Sequence, residues 1–237
     1  MPAPRHALAA LALAAAFATA PAAAFETTLS RDGVSLEYRD PSDALDAAMR
    51  TRIIDTFFAS YARERADFNP SAPKQVVITI DPGYDGVAYV DDKGWATMTI
   101  NPAWLKKHPG DTDLVTHEAM HIVQGYPDYA NDKAPVWLVE GIADYARDCY
   151  GIDNAASGWK LPEEVKAGQN YDTGYRVSGA FLKWADAQHP GLVHALDGAL
   201  RQGRYTPALW RERAGHDVAT LWQQYVQARG GAKPAEG

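Results

Sequence analysis

Apolar and polar positions change period several times along the chain, and each change predicts an element. Val34-Ser35-Leu36-Glu37-Tyr38 alternates with period two, as a short strand with one buried face does. Leu45, Met49, Ile53, Phe57 and Tyr61 then recur every fourth position, which predicts a helix running to about Arg65 and capped by Ser42. Residues 70–73 begin and end with proline and read as a linker. The run Val76-Val77-Ile78-Thr79-Ile80 predicts a buried strand, and 81–86 a turn. Two further runs, 87–90 and 96–100, flank a turn at 91–94 and predict a hairpin that Asn101-Pro102 ends.

Beyond residue 110 the period is helical. An apolar window to about Gln124 predicts a buried helix with Asp111 as its cap, and 125–134 a returning loop. Pro135 suits the first turn of the next helix, whose Trp137, Leu138, Val139, Ile142 and Ala143 leave little polar surface. That helix should stop before Gly151. A loop broken by glycine and proline follows over 153–169, then three helices: one with Val177, Ala180, Phe181 and Trp184, one over 192–200, and one over 218–226. Residues 230–237 carry nothing that could build a core and are expected to be a disordered tail. No internal repeat is present. Strands early and helices late indicate an α+β fold.

The chemistry concentrates in the first buried helix, which contains His117-Glu118-Ala119-Met120-His121. Residues four apart share a helix face, so His117 and His121 can hold one metal ion. Glu118 projects near the open position of that ion and can take a proton from a bound water. A catalytic zinc needs a third protein ligand. Glu140 and Asp144 stand four apart on the next, largely apolar helix, where unpartnered carboxylates would be expensive. Glu140 therefore completes a site for one Zn²⁺, and Asp144 accepts the outer ring N–H of a ligand histidine. Their ordinary alternative is an ion pair with Arg147 or with a distant Lys or Arg. A three-histidine site fails because Pro127 stands where the third histidine is needed; Asp128 is a weaker candidate ligand, with nothing to orient it. Gly141, costly inside a helix by about 1 kcal/mol, fits a close approach of two helices at the metal.

At these residues the chain resembles the gluzincins, thermolysin-like and aminopeptidase-like zinc peptidases with an H-E-x-x-H…E…D pattern. It resembles the basic secretory protein family more narrowly, through His117-Glu118-x-x-His121-Ile122-Val123-Gln124, the stretch from Val139 to Arg147, and Tyr171-Asp172-Thr173-Gly174-Tyr175. That resemblance, from about Val76 to Tyr225, implies a zincin-like fold: a small mixed sheet with an edge hairpin, an active-site helix, then a mainly helical C-terminal lobe. It implies a zinc-dependent peptidase with a peptide or protein substrate. It also implies that the strand of Val87, Ala88, Tyr89 and Val90 pairs with extended substrate, and that Tyr175, at the family's G-Y position, donates to the oxyanion, with Tyr171 as second candidate. The chain departs from the family's name in being acidic, so a defence role does not carry over. Rival readings are a binding module that holds metal without turnover, and a zinc hydrolase of non-peptide amides.

Composition sets the boundaries. Residues 1–24 carry Arg5, an Ala/Leu run and Ala22-Ala23-Ala24, which read as a secretory signal cut after Ala24 and imply a secreted or periplasmic protein. The remaining 213 of 237 residues hold 22 basic and 30 acidic side chains, a net of −8. That excess argues against nucleic acid and anionic membrane as partners, and no segment beyond the signal is apolar enough to insert. Residues 25–229 read as one monomeric domain, with a cleft between lobes at about 25–125 and 126–229. Cys149 is the single cysteine, so no internal disulfide forms.

Overall fold

The structure is a computed structural model and describes residues 24–91, 94, 96–127 and 133–230. Residues 1–23 of the expected signal segment, Asp128, half of the expected 91–94 turn and nearly all of the expected tail lie outside those residues.

Alternation builds the sheet as anticipated. In Val34–Asp40 (β2), Val34, Leu36 and Tyr38 point inward, as do Val76, Ile78 and Ile80 of Gln75–Ile80 (β3) and Met98 and Ile100 of Thr97–Ile100 (β5). Two more strands complete it, Phe25–Arg31 (β1) and Ala88–Val90 (β4), in the order β1-β2-β3-β5-β4. The β2/β3 and β3/β5 pairs are parallel and the outer pairs antiparallel, so the sheet is mixed. β1 was not foreseen: its Glu, Thr, Thr, Ser and Arg carry no core pattern, and it forms by pairing with β2 across a turn at Asp32, whose φ is 50°.

One long helix, Ala47–Asp67 (α1), covers the sheet. Ser42 is not its cap. Asp46 takes that role, accepting from the Met49 amide at 2.8 Å, while buried Asp40 accepts from the amides of Ala44 and Leu45. Asn101 does more than end the hairpin. It accepts from the Ala103 amide and caps an unforeseen helix, Pro102–Lys107 (α2).

The helix of the H-E-x-x-H segment is Leu114–Gln124 (α3), buried at all 11 positions and ended by Gly125 in the left-handed region, φ 51°. Asp111 does not cap it; Asp113 precedes it, and its carboxylate instead accepts from the amides of Ile152 and Asp153. The start of α3 is thereby tied to the end of the next helix, Val136–Tyr150 (α4). Pro135 lies one residue before α4 rather than inside its first turn.

The C-terminal part is helical: Asn154–Ser157 (α5), a 3-10 turn at Tyr171–Thr173, Tyr175–Gln188 (α6), Leu192–Arg201 (α7), Ala208–Ala214 (α8) and Val218–Ala228 (α9). The short α5 and α8 were not anticipated. Among the described residues no helix is long and apolar enough to cross a membrane. One hydrophobic cluster runs from β2 to Tyr225.

Gly141 serves a close helix approach, but to α6 rather than at the metal. A Cβ there would stand 2.8 Å from Ser178 Cβ and 3.1 Å from Leu182, and Gly179 of α6 reciprocates by abutting Asp144. For Gly141→Ala, overpacking at about 1–3 kcal/mol outweighs a propensity gain of about 1 kcal/mol. The expected result is a net loss of up to about 2 kcal/mol in chemical unfolding. A gain in stability would show that α4 and α6 are less tightly held than the geometry implies.

Candidate active site

α3 and α4 pack side by side and bring three ligand-type side chains to one point. His117 Nε2 lies 3.2 Å from His121 Nε2 and 3.2 Å from Glu140 Oε2, and His121 Nε2 lies 3.5 Å from the same oxygen. All three residues are buried. Ligand atoms about 2.0–2.1 Å from a tetrahedral ion lie about 3.3 Å apart, so the triangle has the size a zinc ion needs.

The outer ring atoms fix which nitrogens face inward. Asp144 Oδ1 accepts from His117 Nδ1 at 2.7 Å. Gln124 donates its amide to the Val139 carbonyl at 3.0 Å, which leaves its oxygen to accept from His121 Nδ1 at 2.7 Å. With both Nδ1 atoms donating, both Nε2 lone pairs point at the Glu140 carboxylate. Such a triangle is repulsive unless a positive charge sits within it, whether protons or a metal cation.

The ionisation tendencies agree. Burial works against a charged His117, yet the Asp144 carboxylate and the hydrogen bond to Glu140 raise its pKa well above the ordinary value. His121 is likewise raised by Glu140 against the opposing effect of burial. Burial works against an ionised Glu140, but the two imidazoles hold its pKa far below the usual range. Glu118 differs: burial raises its pKa, only partly countered by the two histidines, and its side chain lines the cavity in front of the triangle. A carboxyl so placed, with a raised pKa, suits proton transfer.

That cavity has a volume of about 1280 Å³ and is walled by residues from both halves of the chain. Val87, Ala88 and Tyr89 line it; β4 is an edge strand, and Val87, just outside it, is bound through its carbonyl to the Asn101 amide. Tyr175 also lines it, 59% exposed, its ring 6.3 Å from that of His117. Its φ of 47° is unusual for a residue with a Cβ, and non-glycine residues held there gather at functional sites. Tyr171 lies elsewhere, its ring against Trp137 at 5.1 Å. Among the described residues neither Glu140 nor Asp144 is paired with Arg147, which binds Asp111 and Asn154.

Two residues at the site escaped the sequence reading of roles. Gln124 was legible in principle, three positions after His121 on one helix face. Tyr84 was not. It comes from the 81–86 turn, packs its ring on Tyr89 at 4.9 Å, and reaches the cavity close enough to feel the charge of Glu118.

Comparison with known proteins then decides the family. The model of the BSP family, described as peptidases of plants and bacteria, matches residues 18–225. The chain belongs to the BSP family. Among curated proteins none matches. Among solved structures, a variant M1 zinc metallopeptidase from Deinococcus radiodurans with a bound Tyr-Ser-Ala substrate is similar at 12% identity and TM-score 0.50, over 90% of this chain and 53% of that one. The M1 zinc metallopeptidase from the same organism gives 11% identity and TM-score 0.48, over 90% and 52%. The BSP chain thus spans about half the length of the structures it matches, and at this identity the likeness concerns the fold.

Removing the carboxylate behind His117 is expected to loosen metal binding. Asp144→Ala should weaken zinc affinity roughly 10–100-fold in a competition titration with a chromophoric chelator. Unchanged affinity would mean that Asp144 does not orient the ring.

Proposed function

We propose that this BSP chain is a secreted or periplasmic zinc-dependent peptidase. The observation that carries the reading is the buried triangle of His117, His121 and Glu140 beside an acid–base glutamate, Glu118, at the floor of an open cavity. His117, His121 and Glu140 would hold one zinc ion, with Asp144 and Gln124 keeping the ring tautomers correct. Zinc bound there supplies a Lewis acid that polarises a carbonyl and makes water more acidic.

The chain's own groups do the rest. Extended substrate lies along β4, whose outer edge offers backbone hydrogen bonds, with Val87, Ala88 and Tyr89 alongside it. Glu118 removes a proton from the attacking water and returns it to the departing amine, which its raised pKa suits. Tyr175, poised over His117, donates its hydroxyl proton in a hydrogen bond to the developing oxyanion. Burial of the ligand set excludes bulk water and strengthens each of these interactions.

Chelation provides the test. Dialysis against a strong chelator should abolish proteolysis of an unfolded protein substrate, and one equivalent of zinc per chain should restore it. Proteolysis by protein shown to be free of metal would overturn the reading.

A further inference from the structure

The cavity continues away from the triangle to a second group of charged side chains that the reaction above does not use. Arg147 lies seven residues after Glu140 on the same face of α4, about 10 Å farther along the axis at about 1.5 Å per residue. It is only 5% exposed yet lines the cavity. Its guanidinium is held in place on several sides. Nε donates to Asn154 Oδ1 at 2.9 Å, Nη2 donates to Asp111 Oδ1 at 2.5 Å, and the plane lies 4.4 Å over the Trp159 ring. Asp111 is itself fixed by the Trp104 indole N–H at 2.8 Å. Among the described residues Nη1 has no hydrogen-bond partner, and it is not one of the atoms sealed from solvent.

A rigid, nearly buried guanidinium with unspent N–H groups on a cavity wall is suited to a planar anion. Asp111 neutralises Arg147, and Lys107, which lines the cavity four residues before Asp111, adds a positive charge within a chain of negative net charge. The wall is closely packed here. Gly110 lies so close to the Ala156 carbonyl that a Cβ would come within 2.2 Å of it, which clamps the α2–α3 connection to α5.

From this juxtaposition we infer that the Arg147 end of the cleft is a subsite for a substrate carboxylate. Extended peptide advances about 3.3–3.4 Å per residue, so the anion lies roughly two to three residues from the scissile bond. The carboxylate is either the C-terminus of a short product segment or an Asp or Glu side chain at that distance. The subsite rests on the peptidase reading for its substrate, but not for its ability to bind.

The test uses the zinc-loaded full chain and peptides that are cut two or three residues from their end. One pair carries a free C-terminal carboxylate or its amide; a second pair, both amidated, carries Asp or Asn at the scanned position. The free carboxylate or the Asp side chain should lower KM roughly 10–100-fold with kcat little changed, and whichever pair responds identifies the source of the anion. Arg147→Lys, which keeps the charge paired with Asp111, should erase the preference while the neutral peptides are cut as before. Equal KM values within both pairs for the native enzyme would overturn the inference, as would a folded Arg147→Lys variant that keeps the preference. Should no peptide be cut, the same pairs titrated against Glu118→Gln by tryptophan fluorescence decide: tighter binding of the acid upholds the subsite although peptidase action has failed, and equal binding rejects it.

Discussion

Glu118→Gln is expected to lower kcat/KM for proteolysis by about 10²–10⁴ while the zinc content stays at one ion per chain. The amide has the shape of the carboxylate but cannot accept the proton of the attacking water. Glu118 makes no hydrogen bond among the described residues, so no structural contact is lost with its charge. Burial disfavours the carboxylate form, as its raised pKa records, so the variant should unfold at the same temperature or slightly above it. Retained zinc, retained fold and lost activity together separate an acid–base role from a ligand role. Activity within a few-fold of native would remove Glu118 from the mechanism.

Glu140→Ala should act on the metal itself. It deletes one corner of the triangle and leaves two histidines, a set that binds zinc far more weakly than three ligands. Both zinc content and activity should disappear. A second readout avoids reliance on activity. Zinc at 100 times its dissociation constant stabilises a native chain by about 2.7 kcal/mol, and about 2–4 °C per kcal/mol applies to a domain of this size. Native protein should therefore melt roughly 5–10 °C higher with zinc than without, and Glu140→Ala should show no such difference. The comparison within each protein cancels whatever the substitution does to packing. A zinc-dependent shift that survives in Glu140→Ala would place the third ligand elsewhere.

How much of this could be read from the chain depended on distance along it. His117, Glu118 and His121 were legible because one turn of helix brings them together, whatever the rest of the fold does. The meeting of Glu140 and Asp144 with the histidines was legible because two carboxylates in an apolar helix require partners, and His117 lies against both of them. The hairpin at β4 and β5 was legible from two short runs that flank a turn. The strand β1 was not, since its residues are half-exposed and polar and its existence depends on β2. Capping misled twice for one reason: Ser42 and Asp111 are good caps by residue type, but Asp46 and Asp113 sit where the helices begin. Asp111 was drawn off by Arg147 and Trp104, partners 36 and 7 residues away that no local pattern couples to it. Tyr84 and the far end of the cleft share that cause. They are assembled by the packing of α2, α4, α5 and the strand edge, and tertiary contacts of that kind leave little trace in the local sequence.

The most direct measurement is a mass spectrum of peptides released from a mixture of unfolded proteins. Zinc-loaded native protein, metal-stripped protein and Glu118→Gln would be incubated in parallel. New termini generated by the zinc-loaded native protein alone are the expected result, and their positions would distinguish cutting within chains from trimming at an end. New termini appearing equally in all three samples, or in none, would contradict peptide hydrolysis at the His117, His121 and Glu140 site.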